Sequence, residues 1–240
     1  MMFAAGFVDS LAGGGGLITL PSYMAFGLNP AALLGTNKLS SFMGTSVAAW
    51  KFRRQINLDK KFLAVMAVLA LLFSAAGALL SRVIHPENLK FIIIAVIPFV
   101  AYFVIMHKKF ESAHEKYSAA RKNFFAKAIS GGVAAYDGFL GPGAGTMYAS
   151  FLMRFCGYDI VQATAAAKVL NLCSNLFALG VFLSLGAVNL KLGFIMGLFS
   201  IAGNAAGVSV GKKRGAKIIK PLIILVCAAI MLKYGYDFLR

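Results

Sequence analysis

From residue 62 to residue 81 the sequence runs without a charged side chain, and such a segment has few places to go. About 20 residues of helix cover about 30 Å, the thickness of a bilayer's hydrocarbon core. Residues 169–190 and 192–211 repeat the feature. Residues 91–106 with their flanks, 31–50 interrupted only by Lys38, and 221–232 extended in both directions are further candidate spans. No soluble domain fits between them. Composition agrees: charged residues make up only 13% of the 240, against about 25% in a soluble domain. That excludes a disordered chain and a polar-surfaced enzyme. The net charge of +16 does not point to nucleic acid, because the basic residues sit in short runs between apolar stretches, where they set topology. Cys156, Cys173 and Cys227 lack metal-ligand spacing and read as small core residues. The N-terminus has no charged n-region, so the first apolar stretch is expected to belong to the mature fold.

A polar linker at residues 107–127 separates two copies of one unit. An offset of 128 places Asp9 on Asp137 and Gly13 on Gly141; 130 places Lys38 on Lys168 and Gly77 on Gly207; 132 places Phe62 on Phe194. The division expected is a first transmembrane repeat over 1–107, a basic cytoplasmic linker over 108–122 and a second repeat over 123–240. Each repeat reads as five helical segments. In the first they fall at about 2–11, 16–27, 31–51, 60–82 and 88–107, and in the second at about 123–139, 146–156, 159–184, 191–211 and 217–238. The second segment of each is too short to span. Glycine breaks precede both: Gly13, Gly14, Gly15 and Gly16 in one, Gly141, Pro142, Gly143, Ala144 and Gly145 in the other. Each is expected to be the tip of a hairpin inside the membrane, which only surrounding protein or a water-filled cavity tolerates.

Loop charge sets the orientation. Lys51, Arg53, Arg54, Lys60 and Lys61 fill the first such loop; Lys108, Lys109, Lys116, Arg121, Lys122 and Lys127 the linker; Lys212, Lys213, Arg214, Lys217 and Lys220 the last. The corresponding loops near Arg82 and Lys191 are poor in charge. The positive-inside rule then puts the two repeats in opposite orientations. The fold class expected is an all-α polytopic membrane protein of two inverted repeats, with 8–10 membrane segments and broken or re-entrant glycine-rich hairpins.

The candidate chemistry lies at these breaks. Backbone N–H groups at a helix start favour an anion, and glycine permits close approach and left-handed φ. Tight helix packing is the competing explanation. Lys38 and Lys168 sit deep in their helices, where an ionisable residue marks function by default. Lys38, Ser41 and Thr45 share a face, as do Lys168, Asn171 and Asn175. The competing explanation is an ion pair with Asp9 or Asp137 that serves stability; those two acids are also candidates for a coupling proton. His85, His107 and His114 fall in loops or at helix ends and read as solvated. No catalytic or metal-ligand cluster is legible, so no cofactor, no metal and no enzymatic role are expected.

The run Gly6-Phe7-Val8-Asp9-Ser10-Leu11-Ala12-Gly13-Gly14-Gly15-Gly16-Leu17-Ile18-Thr19-Leu20-Pro21 resembles the opening motif of the sulfite exporter TauE/SafE family of membrane transporters. Leu34-Gly35-Thr36-Asn37-Lys38 and the second-half stretch from Ala163 to Asn171, with Ser174 and Asn175, are similar to its other segments. The resemblance implies a permease of the cytoplasmic membrane for sulfur-containing or related organic anions such as sulfite, thiosulfate or a sulfonate. The second copy has Ala165-Ala166 where the first has Gly35-Thr36, so the two half-sites need not be equal. The substrate is expected to meet the backbone of Gly13, Gly14, Gly15, Gly16, Gly141, Gly143 and Gly145, with Thr36, Asn37, Lys38, Lys168, Asn171 and Asn175 around it. An anion channel with the same lining is the alternative, and a membrane-embedded enzyme a weaker one. Expected partners are the small anion and the lipid bilayer, not nucleic acid; a homo-oligomer is left open.

Overall fold

The computed structural model describes residues 1–56, 59–106 and 117–210. The described elements are helical: α1 (Met2–Ala12), α2 (Gly16–Ala25), α3 (Pro30–Phe52) followed by the 3₁₀ turn Arg53–Gln55, α4 (Lys60–Val83), α5 (Pro86–Met106), α6 (Ala119–Phe139), α7 (Ala144–Cys156), α8 (Ile160–Ser184) and α9 (Leu190–Val210). The helix expected at 217–238 lies outside the described residues, as do His107, His114 and most of the linker.

Local chemistry places the ends. Asn29 caps α3 through the Ala32 N–H with Pro30 at the first helical position. Asp59 caps α4 through the Phe62 N–H, and Asp159 caps α8 through Val161 and Gln162. These side chains satisfy donors that a helix start leaves free. Ser118 does the same for Arg121, so α6 starts at Ala119, four residues earlier than its basic sequence suggests. Glycines at positive φ, Gly13, Gly27, Gly157 and Gly186, follow the ends of α1, α2, α7 and α8.

Among the described residues, four helices are long and apolar enough to cross a bilayer: Lys60–Val83, Pro86–Val104, Ile160–Ser184 and Leu190–Ser209. The chain is a multi-pass membrane protein. On α4 the packing is inverted relative to a soluble protein. Along α4 the buried residues are Met66, Ala70, Ser74, Gly77, Ala78 and Ser81, a stripe of mostly small side chains at helical spacing. The large apolar residues Val68, Leu72, Phe73, Leu79 and Leu80 face outward, as suits a helix solvated by lipid on one side and by other helices on the other. Among the four spans α8 is the most enclosed, 56% buried against 28–33% for the rest.

The helices of the two halves are interleaved. α4 packs on α6 and α8, whereas α9 packs on α1 and α3. Glycine allows the closest of these approaches. A Cβ on Gly77 would strike the Ala135 carbonyl, and one on Gly207 would strike Ser10 Oγ and lie 2.7 Å from the Phe7 carbonyl oxygen. Gly77 and Gly207 are a pair at offset 130, and Phe7 and Ala135 a pair at offset 128. The central helices α3 and α8 cross antiparallel: Gly35, near the start of α3, lies against Phe182 and Ala187 at the end of α8, and the 3₁₀ turn beyond α3 also contacts α8.

Candidate functional site

α2 and α7 are short, 10 and 13 residues, or about 15 and 20 Å. Each folds back from the helix before it through a glycine tip, and the two tips touch. A Cβ on Gly145 would lie 2.8 Å from Gly13 Cα, and one on Gly16 would lie 2.8 Å from Pro142 Cα. Only a residue without a side chain permits backbone to meet backbone so closely. Gly141 and Gly143 hold φ of +97° and +75°. Gly15 has a φ of −55°, an ordinary right-handed value. Space is what demands glycine there, since a Cβ would lie 2.7 Å from Asp9 Cβ and 2.9 Å from the Ala5 carbonyl oxygen.

Beside the tips are two buried ion pairs. Lys38 of α3 donates to Asp137 Oδ1 of α6 at 2.8 Å, with the side chains 1% and 3% exposed. Lys168 of α8 lies 3.5 Å from Asp9 Oδ2 of α1, with exposures of 2% and 15%. It also donates to the Asp9 carbonyl. Each lysine thus pairs with the acid of the other half. Each sits eight residues past the first residue of its helix, about 12 Å along the axis. The first pair rests on a tip: a Cβ on Gly141 would lie 3.0 Å from Lys38 Nζ and 3.1 Å from Asp137 Oδ1. Asp9 organises the other tip, accepting from the Gly13 N–H at its carbonyl (2.7 Å) and from the Gly15 N–H at Oδ1 (3.4 Å).

Chemically, the arrangement is two cations and a knot of irregular backbone, enclosed by protein and balanced by two carboxylates. Each ammonium already has a carboxylate partner, so the four charges cancel. No group of three or more His, Cys, Asp or Glu side chains that could hold a metal occurs among the described residues. A model of the family described as Sulfite exporter TauE/SafE matches residues 1–234.

The chain belongs to the sulfite exporter TauE/SafE family. Among its curated relatives is a probable membrane transporter protein, ORF9, from Sinorhizobium sp, 35% identical over 98% of this chain and 90% of that protein. The probable membrane transporter protein YfcA of Escherichia coli K12 is 38% identical, covering 97% of this chain and 86% of its own. A probable membrane transporter protein of Haemophilus influenzae is 32% identical over 98% and 92%. No solved structure matches.

In this TauE/SafE chain the remaining expected site residues are engaged to differing degrees. Thr36 Oγ1 accepts from the Asn189 N–H at 2.9 Å and so caps the turn into α9. Asn37 Oδ1 accepts from Thr19 Oγ1 at 2.5 Å, tying α3 to α2. Asn175 donates to the Asn171 carbonyl at 2.8 Å and lies 3.3 Å from Asn171 Oδ1. Gly14 is buried, and its carbonyl accepts from the Leu17 N–H. Three residues beyond the expected set join the site. Ser174 donates to Asp137 Oδ2, Tyr136 donates to the Pro142 carbonyl at 2.7 Å and braces the second tip, and Tyr23 donates to Ser40 at 2.7 Å. Ser174 was within reach of sequence reasoning, since it lies on one helix face with Lys168, Asn171 and Asn175; the tyrosines gave no signal apart from their polar ends in apolar runs.

At one end of this assembly a cavity of about 200 Å³ opens between the starts of α3 and α5 and the ends of α4 and α8. Asn29, Arg82, Leu89, Phe182 and Ala187 are among its walls. Arg82 is exposed there, whereas Phe182 is buried.

Proposed function

We propose that this protein is a secondary transporter of a small anion in the cytoplasmic membrane. The substrate is sulfur-containing, such as sulfite, thiosulfate or a sulfonate, or a related organic anion. It binds near the midplane between two inverted repeats, 1–107 and 123–240, and alternating access moves one bundle against the other around it. The single observation that carries the reading is the pair of buried lysines on two antiparallel central helices, each held by an acid of the opposite half at a glycine tip. A lysine without a nearby negative charge is costly at membrane depth, so an anion that replaces the carboxylate keeps the cation balanced throughout. The basic loops support opposed orientations of the repeats, with the linker in the cytoplasm. The relatives' names support transport, and the family description supports the sulfur-containing class.

The test is a binding screen of sulfite, thiosulfate, sulfonates and carboxylates on purified protein, followed by flux into proteoliposomes. Saturable flux driven by a gradient is expected. A unitary conductance in planar bilayers would make the protein a channel, and failure of every anion to bind would remove the reading altogether.

A further inference from the structure

The two ion pairs are related by the duplication but are not built alike. Asp137 is held at both oxygens, by Lys38 at 2.8 Å and by Ser174, and its side chain is 3% exposed. Asp9 is held loosely: its Oδ2 is 3.5 Å from Lys168, its Oδ1 meets only the distant Gly15 N–H among the described residues, and its side chain is 15% exposed. The difference has a source in the sequence. Subtracting the offset of 130 that relates the lysines, Ser174 falls on Gly44, so at the matching position α3 has no hydroxyl to offer Asp9. Nor is there room for one, because a Cβ on Gly44 would collide with Ser200 Oγ and lie 2.6 Å from Asn204 Nδ2. The locked carboxylate and the loose one are therefore fixed by packing on opposite sides of the site.

We propose that the two lysines have divided their tasks: Lys168 binds the transported anion, with the Asp9 carboxylate as its built-in competitor, while Lys38, Asp137 and Ser174 form a brace that stays shut. This rests on the transport reading above and assigns its substrate contact to one half. An anion on Lys168 takes the place of one carboxylate and leaves the charge on the ammonium balanced. Asp9 has somewhere to go, since part of its side chain is left uncovered by protein. Lys168 does not lose its anchor in the exchange, because its bond to the Asp9 main-chain carbonyl survives movement of the side chain. The same exchange at Lys38 would have to break both contacts of Asp137 in a fully enclosed place, and truncating one partner of such a pair typically costs several kcal/mol.

The experiment compares sulfite and thiosulfate binding by the full-length protein and its variants in nanodiscs. A competitor that occupies the cation at least about nine-tenths of the time weakens apparent affinity at least about tenfold. Asp9→Asn is therefore expected to tighten binding by about tenfold or more, and Asp9→Ser serves the same purpose should the first variant not purify. Lys168→Met is expected to abolish binding. Asp137→Asn, the matching change in the brace, is expected not to tighten binding, because the anion does not compete with that carboxylate. Unchanged or weaker binding in the Asp9 variants, in a protein whose parent does bind, overturns the division of tasks and leaves the transporter reading standing. So does a tightening by Asp137→Asn equal to that of the Asp9 variants. Failure of the parent to bind either oxyanion overturns the sulfur-oxyanion reading and this inference with it.

Discussion

Gly141 shows how much one residue position can carry. Its φ is +97°, and a methyl group there would press on Lys38 Nζ and Asp137 Oδ1 at once. Gly141→Ala is expected to combine the penalty of a left-handed backbone with displacement of the pair. The result should be a protein that inserts and purifies but loses at least about tenfold in transport rate; uptake in proteoliposomes measures it, and parental uptake would mean the tip yields freely. Lys38 belongs to the same cluster. Lys38→Met leaves Asp137 buried with only Ser174, and about 3 kcal/mol of stability should be lost; Asp137→Asn in the same chain should restore most of it, as thermal melting would reveal. All four charged residues were legible in the sequence, because a charge in a run long enough to span is conspicuous. Their pairing was not. Either acid is compatible with either lysine by position alone, and only the approach of α6 to α3 and of α1 to α8 decides.

At the scale of elements, sequence reading did well at ends and poorly at neighbours. Caps and breakers act within a few residues of where they stand, so the ends expected from the apolar runs and glycine breaks fall within a few positions of the described helices. The start of α6 is the exception, because its Ser118 cap stands ahead of a basic stretch. Which face of a membrane helix turns inward is harder to see when every face is apolar. The small-residue stripe on α4 is the cue, and Gly77 its tightest point. Gly77→Leu is expected to force α4 away from α6 and lower stability by about 2–3 kcal/mol, as overpacking does. The same substitution at Gly132, which has open space around it, should be close to neutral. Melting curves of the two variants test the contrast, and equal losses would mean the α4–α6 approach is not close in the membrane.

For the molecule as a whole, the charge pattern and the interleaved packing bear on orientation. The proposed opposition of the repeats puts Lys191 and Arg54 on different sides of the membrane. A cysteine replacing Lys191 should react with an impermeant thiol reagent applied from outside, and one replacing Arg54 should react only after permeabilisation. Both side chains are exposed, so lack of reaction cannot be put down to burial. Reaction of both from one side would make the halves parallel. No local sequence signal announces that the fourth helix of one half packs on the first helix of the other, because that arrangement is a property of the assembled bundle.

The interleaving of α1 with α9 and of α4 with α6 has a consequence in time. A ribosome delivers α3 to the bilayer well before α6 has been made. Lys38 and Asp137 are 99 positions apart, which at about 5–20 residues per second is roughly 5–20 s of synthesis. Lys168 follows Asp9 by 159 positions, so that acid waits longer still. Throughout these intervals the early helices lack the partners they have in the finished fold, and their glycine faces are uncovered. The first half therefore reaches its final packing only after the second half has been made.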